Sequence, residues 1–463
     1  MINKLILITF VCALGLSAQA ATIAVIDSGS DVKHIDLVKN VWMNSVEIPD
    51  NDRDEDHNGY QDDVFGWNFA ENNNQVIDYS YLGSLTPDIR KFFQIQTKNF
   101  YGLATEEEKN WVREKVQDQD FIKSIQLYGN FMHGTHVAGI TVRDNDSKFL
   151  AVKLIPTEVK LPGKKLTSFY GISTKLIEKA KLSSNGLGMN LLKVALAQLA
   201  KQQMTQMRDI AYYIDGHKAD IANGSFGTGY PQAKMIVTTL IKIFSKNPKE
   251  ADIIEGTKFL LNSMISEGEK FVAAAPDTLF VFAAGNDGSN NDLYPASPTN
   301  IVADNVISVA ATIGRTAIAN FSNYGITKVD VAAPGVGIKS TAPGDKYMTI
   351  SGTSQAAPFI ANVASKIKDA NPTLKPKEIK AILMKTVDLK KFLNGKVVSN
   401  GIVNTDRAVR AASLTNKMSL SEAISESRKL VADIATSFIS PLVQNVSKDI
   451  QFVLPLTSSL ILK

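Results

Sequence analysis

The feature that most constrains this fold is the alternation of short apolar segments with longer stretches of helical periodicity. The candidate strands are Thr22–Ile26, Phe149–Leu154, Ala219–Ala222, Leu279–Ala284, Val306–Ala310 and Val329–Ala332. The clearest candidate helices are Leu191–Ile214, Lys234–Phe244, Ile254–Glu267 and Ala357–Ala370. Such an alternation builds βαβ units with right-handed crossovers. We therefore expect an α/β fold of three layers, in which helices cover both faces of a mostly parallel sheet.

Composition narrows the class of protein further. The chain has 463 residues, of which 44% are hydrophobic and 21% charged, as in ordinary globular proteins. Wholesale disorder, a fibrous repeat and a multi-span membrane protein are therefore disfavoured. The 50 basic and 46 acidic residues nearly balance, and no run of like charge forms a phosphate-binding stripe. The sequence thus predicts no nucleic-acid partner.

The first twenty residues have the features of a secretory signal. Lys4 gives a positive start, Leu5–Leu16 an apolar segment, and Ala18–Ala20 a small-residue cleavage site. A membrane anchor is the alternative, but the apolar segment is shorter than the ~20 residues that span a bilayer. We expect cleavage before Ala21 and an exported protein, periplasmic or extracellular. Cys12, the only cysteine, lies within the signal, so no disulfide is expected.

Domain organisation is predicted as one main domain over residues 21–412 with additions. Two stretches, near 70–130 and 156–190, are polar and weakly periodic, and we interpret them as insertions without a core of their own. Residues 413–463 form a C-terminal extension of unknown role. It contains a predicted helix, Ser419–Ile439, and a final apolar segment, Phe452–Leu462.

Three polar, glycine-containing clusters carry reactive side chains, each expected at the end of a strand. They are Asp27–Gly29, His133–Gly139 and Ser351–Pro358. A serine hydroxyl is a weak nucleophile at neutral pH, so acyl transfer needs an imidazole to accept its proton and a carboxylate to orient the imidazole. The chain supplies these groups in the order Asp27, His133, Ser354.

These clusters resemble the signatures of the subtilisin-like serine proteases, the subtilases, which use the same order of residues. Four further segments resemble family motifs, in the expected order: Ala219–Gly227, Ala283–Asn286, Phe321–Gly325 and Ala333–Gly335. The resemblance implies a monomeric serine endopeptidase that acts on protein or peptide substrates through an acyl-enzyme. In such an enzyme Asp27 would orient His133, His133 would act as the general base, and Ser354 would be the nucleophile. Asn286 and the Ser354 backbone N–H would bind the oxyanion.

These residues allow other interpretations. His133 and His136 could indicate zinc, but the glutamate of a His-Glu-x-x-His site is absent. We therefore expect His136 to be structural. Asp27 and Asn286 could be turn residues, and Ser351 is expected to be a cap or turn hydroxyl rather than a second nucleophile. A catalytically silent peptide-binding domain is the rival class. Esterase activity is a still weaker alternative, because no Gly-x-Ser-x-Gly motif surrounds Ser354.

The predicted substrate-binding residues are Gly224, Ser225, Phe226, Gly227 and Gly285. An extended peptide would pair with the backbone of the segment 224–227. Gly227 and Gly285, which lack side chains, would leave room for the P1 residue of the substrate. The resemblance implies a broad, apolar P1 preference.

An acidic segment after the first strand predicts a structural calcium site. Its candidate ligands are Asp52, Asp54, Asp56, Asn58, Asp62 and Asp63. Asp54, Asp56 and Asn58 have the spacing of a calcium loop, and Gly59 permits a sharp turn. The alternative is a solvated acidic turn, but carboxylates packed so closely repel one another unless a cation lies among them.

Two departures from the family pattern stand out. Secreted subtilases usually carry a propeptide, yet Asp27 follows the expected cleavage site by only seven residues. We expect no propeptide, so another segment, a separate inhibitor or a chaperone would act instead, or the fold forms unaided. The 70–130 insertion is expected to shield the cleft, docked by Phe92, Phe93, Phe100 and Trp111. The second departure is Gln355, which stands where many members have methionine.

Overall fold

A mostly parallel sheet forms the centre of the molecule. The computed structural model describes residues 20–158, 175, 178–179 and 186–436. Within these ranges the strands are β1 (Thr22–Asp27), β2 (Gly66–Asn68), β3 (Lys148–Lys153), β4 (Ile221–Gly224), β5 (Leu279–Ala283), β6 (Val306–Ile313), β7 (Ala317–Ile318), β8 (Val331–Pro334), β9 (Ile338–Ala342), β10 (Lys346–Ile350), β11 (Asp388–Leu389) and β12 (Gly401–Ile402).

Ten of these strands form one sheet in the order β2-β3-β1-β4-β5-β6-β8-β12-β11, with β7 paired to β6. All neighbours are parallel except β11, which is antiparallel to β12, and β7, which is antiparallel to β6. β1 lies between β3 and β4, and all six of its residues are buried. Its continuous apolar sequence fits a strand covered on both faces. The remaining strands, β9 and β10, form an antiparallel hairpin.

The helices are α1 (Pro87–Phe100), α2 (Glu106–Lys115), α3 (Gln119–Thr141), α4 (Leu187–Gly216), α5 (Tyr230–Phe244), α6 (Glu250–Ala273), α7 (Thr353–Ala370), α8 (Pro376–Lys385), α9 (Thr405–Leu414) and α10 (Leu420–Leu430). Short 3-10 helices occupy Val38–Asn40, Tyr79–Ser84 and Lys391–Leu393. Across the described ranges, no helix is both long and apolar enough to cross a membrane.

The helices cover the two faces of the sheet. On one face α4, α5 and α6 pack against alternate strand residues such as Ala24 and Phe280. On the other face, α7 packs against the intervening positions, which include Ile23 and Val281. Helix α3 lies on this second face as well, where Val137 belongs to the same apolar cluster as Val25. The prediction of a three-layer α/β fold is confirmed.

The interpretation of the 70–130 stretch as lacking its own core was wrong. Residues 77–132, here called the helical insertion, contain α1, α2 and the first half of α3 around an apolar cluster. Thr86 caps α1, and Thr105 with Glu108 forms a capping box on α2. The buried residues of the cluster are Ile77, Ile89, Phe92, Phe93, Ile95, Val112, Phe121, Ile125, Tyr128, Phe131 and Met132, joined by Ala342, Met348 and Ile350 of the hairpin.

The aromatic residues assigned to docking a flap are instead packed within the body of the protein. Phe92 and Phe93 are buried inside the helical insertion. Phe100 belongs to the core beneath α7, where its ring lies 5.0 Å from that of Phe321 in an edge-to-face arrangement. Trp111 packs against the insertion's own cluster. Because these contacts are internal, the rings cannot also dock a movable flap over the peptide groove.

The helix of the C-terminal extension begins with its cap at Ser419 as predicted but is shorter than predicted. α10 ends at Leu430 rather than at Ile439, and residues 431–436 are not helical. Arg407 explains the ending, because its Nε donates to the Val431 carbonyl at 3.0 Å. The Ile434 N–H donates to Asp388 Oδ2, also at 3.0 Å. The predicted segment Phe452–Leu462 and most of the 156–190 insertion lie outside the described residues.

Candidate active site

Asp27 and His133 meet in the interior, although 106 residues separate them in sequence. Asp27 is the last residue of β1, and its Oδ1 lies 2.7 Å from His133 Nδ1. His133 lies within α3, not at a strand end as its glycine-rich motif had suggested. A Cβ atom on Gly134 would lie 2.2 Å from the Gly29 carbonyl oxygen. The glycine therefore lets α3 approach the loop that follows Asp27.

Ser354 lies in the first turn of α7, where unpaired N–H groups and the helix dipole favour negative charge. Its Oγ donates to the Ser225 carbonyl at 3.2 Å, and the Ser225 Oγ donates to the Ser354 carbonyl at 3.0 Å. The hydroxyl proton is thus directed at Ser225 in this structure. A proton transfer from Ser354 to His133 would require the hydroxyl to turn away from the Ser225 carbonyl.

Asn286 lies beside this helix start. Its Oδ1 accepts hydrogen bonds from the Thr353 backbone N–H at 2.9 Å and from the Thr353 hydroxyl at 2.8 Å. These two bonds fix the amide so that Nδ2 points away from Thr353. A Cβ atom at Gly352 would lie 3.5 Å from Asn286 Nδ2 and 3.6 Å from Ser354 N. Two donors therefore flank one small space beside the serine.

His136 has a structural position, one helical turn after His133. It is fully buried, and its Nε2 lies 3.2 Å from the carbonyl oxygens of both Ile338 and Met348, on the two strands of the hairpin. Burial, with a smaller contribution from His133, lowers the pKa of His136 to about 3. The neutral imidazole therefore donates to the hairpin backbone, which agrees with the structural role expected from the sequence.

The predicted substrate-binding segment begins at the last residue of β4 and is buried from Gly224 to Gly227. A Cβ on Gly224 would lie 2.6 Å from the Phe282 ring, and one on Gly227 would lie 2.9 Å from the Ser297 carbonyl oxygen. Gly285, two residues after the end of β5, has a φ of +118°, and a Cβ there would lie 2.3 Å from the Asn323 amide nitrogen. All three glycines are thus required by close packing, and their role in binding substrate remains a prediction.

The acidic loop brings three carboxylates together. One oxygen each from Glu47, Asp54 and Asp56 lie within 4.8 Å of one another. Glu47 was missed in the sequence because it lies outside the spaced motif. It is buried, and it accepts hydrogen bonds from the backbone N–H groups of Glu55 at 2.9 Å and Asp62 at 3.0 Å. Its carboxylate therefore organises the loop as well as joining the cluster.

The other predicted ligands have different partners. Asp63 is buried and accepts hydrogen bonds from Tyr213 at 2.9 Å and His217 at 3.2 Å. Burial alone would raise the pKa of Asp63, but bonds from His217, Asn44 and Tyr213 outweigh it and hold the pKa below its ordinary value.

The remaining three predicted calcium ligands, Asp52, Asn58 and Asp62, form hydrogen bonds within the loop. Asp62 accepts from the backbone N–H of Asp52 at 3.1 Å, and the Asp52 side chain is exposed. Asn58 donates to Asp56 and Asp63, at 3.2 and 3.1 Å. No sequence signal pointed to Tyr213 or His217, which lie far along the chain.

Comparison with known proteins identifies the family. A model of the subtilase family matches residues 18–416, so the chain belongs to this family. It is 38% identical over 138 residues to alkaline elastase YaB of Bacillus sp. (strain YaB), a match that covers 30% of this chain and 34% of the relative. It is 25% identical over 419 residues to subtilisin-like protease 1 of Plasmodium falciparum (isolate 3D7), covering 89% of this chain and 46% of the relative.

Among solved structures, a lanthipeptide protease is similar, with 17% sequence identity, a TM-score of 0.46, and coverage of 84% of this chain and 86% of that one. The chain spans about a third of the length of the elastase and about half that of the Plasmodium protease.

Proposed function

We propose that the protein is a serine endopeptidase that hydrolyses peptide bonds through an acyl-enzyme. The observation that carries the proposal is the 2.7 Å contact between Asp27 and His133, combined with the position of Ser354 at the start of α7. Family membership supports the same chemistry. Asp27 fixes the imidazole tautomer that leaves Nε2 able to accept a proton.

The reaction follows from these groups. As the Ser354 hydroxyl turns from the Ser225 carbonyl, His133 Nε2 takes its proton and Oγ attacks the scissile carbonyl carbon. The carbonyl electrons move onto its oxygen, where Asn286 Nδ2 and the Ser354 N–H stabilise the charge. His133 then returns the proton to the leaving amine. Water hydrolyses the acyl-enzyme by the same route in reverse, while Asp27 stabilises the imidazolium in both steps.

The substrate is proposed to lie along the segment 224–227, with its P1 side chain between Gly227 and Gly285. These glycines lie shortly after the ends of two neighbouring parallel strands, β4 and β5, and backbone pairing there would give affinity without dependence on sequence. Phe226, within this segment, packs against Phe282 of β5, with ring centroids 6.4 Å apart. This apolar surrounding favours an apolar P1 residue.

A fluorophosphonate probe tests the activity, because it reacts covalently only with an activated serine. We expect labelling and peptide hydrolysis by the wild type, and the loss of both in Ser354→Ala. The matched control is Ser351→Ala, since the Ser351 hydroxyl accepts from the Gly337 N–H at 3.0 Å and has a structural role. This variant should still label. A folded wild type that does not label would favour the catalytically silent peptide-binding alternative.

We also propose that the acidic loop binds structural calcium. The support is the meeting of Glu47, Asp54 and Asp56, because clustered carboxylate oxygens suit this hard cation. Addition of a chelator should lower the Tm of the wild type by mass action. An Asp54→Asn/Asp56→Asn variant should no longer respond to chelator, while Glu55→Gln, in the same loop but bonded to Asn51, should respond like wild type. An equal response in all three proteins would exclude this loop.

The remaining proposals concern processing and partners. We propose that residues 1–20 direct export and are then removed. Residues 21–412 are proposed to form the peptidase domain. The protein is proposed to act as a monomer on protein or peptide substrates. A separate inhibitor or chaperone stays a proposal for how activity is restrained. Sequencing the N-terminus of protein recovered from periplasm and medium should show Ala21. An uncleaved N-terminus would contradict the signal assignment.

A further inference from the structure

Gln355, the residue after the nucleophile, has an unusual environment. Its side chain is only 1% exposed, in the first turn of α7. None of the described residues provides a hydrogen-bond acceptor for its Nε2. A buried amide donor without a partner is unfavourable, and natural proteins keep few of them. The environment therefore suggests that Nε2 gains its partner when a ligand is bound.

The Gln355 amide borders the space in which the oxyanion is proposed to form. A Cβ atom at Gly352 would lie 2.8 Å from Gln355 Oε1, and the same point is 3.5 Å from Asn286 Nδ2 and 3.6 Å from Ser354 N. Three polar groups thus lie within 3.6 Å of one point beside Gly352, two residues before the proposed nucleophile. Gln355 is the only one of the three for which the proposed mechanism has no role.

We propose that Gln355 is a third hydrogen-bond donor to the oxyanion. In the unliganded protein the amide turns Oε1 toward this space. Negative charge developing there repels Oε1 and attracts an N–H group. A half-turn about the Cγ–Cδ bond exchanges the two ends of the amide and supplies Nε2 as the donor. Gln355 forms no covalent bond and transfers no proton; the proton of Ser354 still passes to His133.

The inference rests on the proposed serine-protease chemistry, and it assigns Gln355 to the transition state rather than to substrate binding. A donor that acts only on the oxyanion should change kcat and leave KM unaffected. It should also strengthen the binding of a peptide boronic acid, whose tetrahedral adduct with Ser354 places an oxygen in the same space. A side chain that merely fills space would change stability or KM instead.

Two variants of the full chain test the role. Gln355→Met keeps an unbranched side chain of similar length but removes the donor, and should lower both kcat and boronate affinity about 10-fold, with KM unchanged. Gln355→Glu keeps the shape but replaces the donor by a carboxylate, and should lower both quantities further at neutral pH. If the methionine variant does not fold, the glutamate variant carries the test. Folding is checked from the Tm of each protein.

Fluorophosphonate labelling separates the possible failures. If the wild type does not label, the proposed function is wrong and the role of Gln355 fails with it. If the wild type labels, but folded Gln355→Met and Gln355→Glu retain kcat and boronate affinity within about twofold, only the third donor is refuted. A change in KM with kcat unchanged would equally refute it, because it would place the amide in ground-state binding.

Discussion

Phe100→Ala tests whether the helical insertion is an integral part of the protein. Phe100 is fully buried, and its ring contacts Phe321 across the boundary between the insertion and the main core. Replacing a buried phenylalanine by alanine costs about 3–5 kcal/mol, which already includes the cavity left behind. Against a typical total stability of about 5–15 kcal/mol, such a loss is large. The matched control is Leu103→Ala, whose side chain is 58% exposed.

The assay is urea unfolding followed by circular dichroism, in a Ser354→Ala background that prevents self-digestion. We expect one cooperative transition, shifted to lower urea by Phe100→Ala without a change in slope. Leu103→Ala should change the free energy of unfolding by less than about 0.5 kcal/mol. Equal stability of the two variants, or a separate early transition in Phe100→Ala, would show that the insertion does not share the core.

Three further predictions follow from the described contacts. The pKa of His136 is about 3 in the folded protein and 6.5 in the unfolded protein, so between these pH values only the unfolded protein is protonated at this residue. The free energy of unfolding should therefore fall by about 1.4 kcal/mol for each pH unit below 6.5. In urea unfolding, His136→Asn should show a correspondingly weaker pH dependence. Asp388→Asn removes the buried carboxylate shared by Arg315 and Arg407 and should cost about 3–5 kcal/mol, whereas Asp433→Asn, whose side chain is 59% exposed, should cost less than about 1 kcal/mol. Asn286→Ala should lower kcat about 100-fold with little effect on KM in peptide hydrolysis.

The sequence predicted best those features that local patterns determine. Continuous apolar runs located the central strands, such as β1 and β5, because strands covered on both faces need apolar residues at nearly every position. The reactive residues were found through short motifs, and the structure brings Asp27 and His133 together as expected. Their catalytic assignment depended on resemblance to a family, since spacing alone does not place residues 106 positions apart in contact.

The features that were missed depend on long-range contacts. The helical insertion carries charged residues between its apolar positions, so its core becomes apparent only when α1 packs against α3 and the hairpin. Glu47 joins Asp54 and Asp56 through folding of the loop rather than through spacing. The end of α10 is set by Arg407 and Asp388, two residues that lie outside that helix. Patterns within one segment cannot reveal such partners.

The position of Asp27 on a central strand also bears on when the proposed catalytic residues can come together. β1 pairs with β3 on one side and β4 on the other, and Ser354 contacts Ser225 from 129 residues further along the chain. Folding of such non-local pairings is slow, because distant segments must meet before any contact is gained. A chain still being synthesised therefore has no assembled triad until α7 has emerged. The three proposed catalytic residues, Asp27, His133 and Ser354, thus come together only after most of the chain has been made.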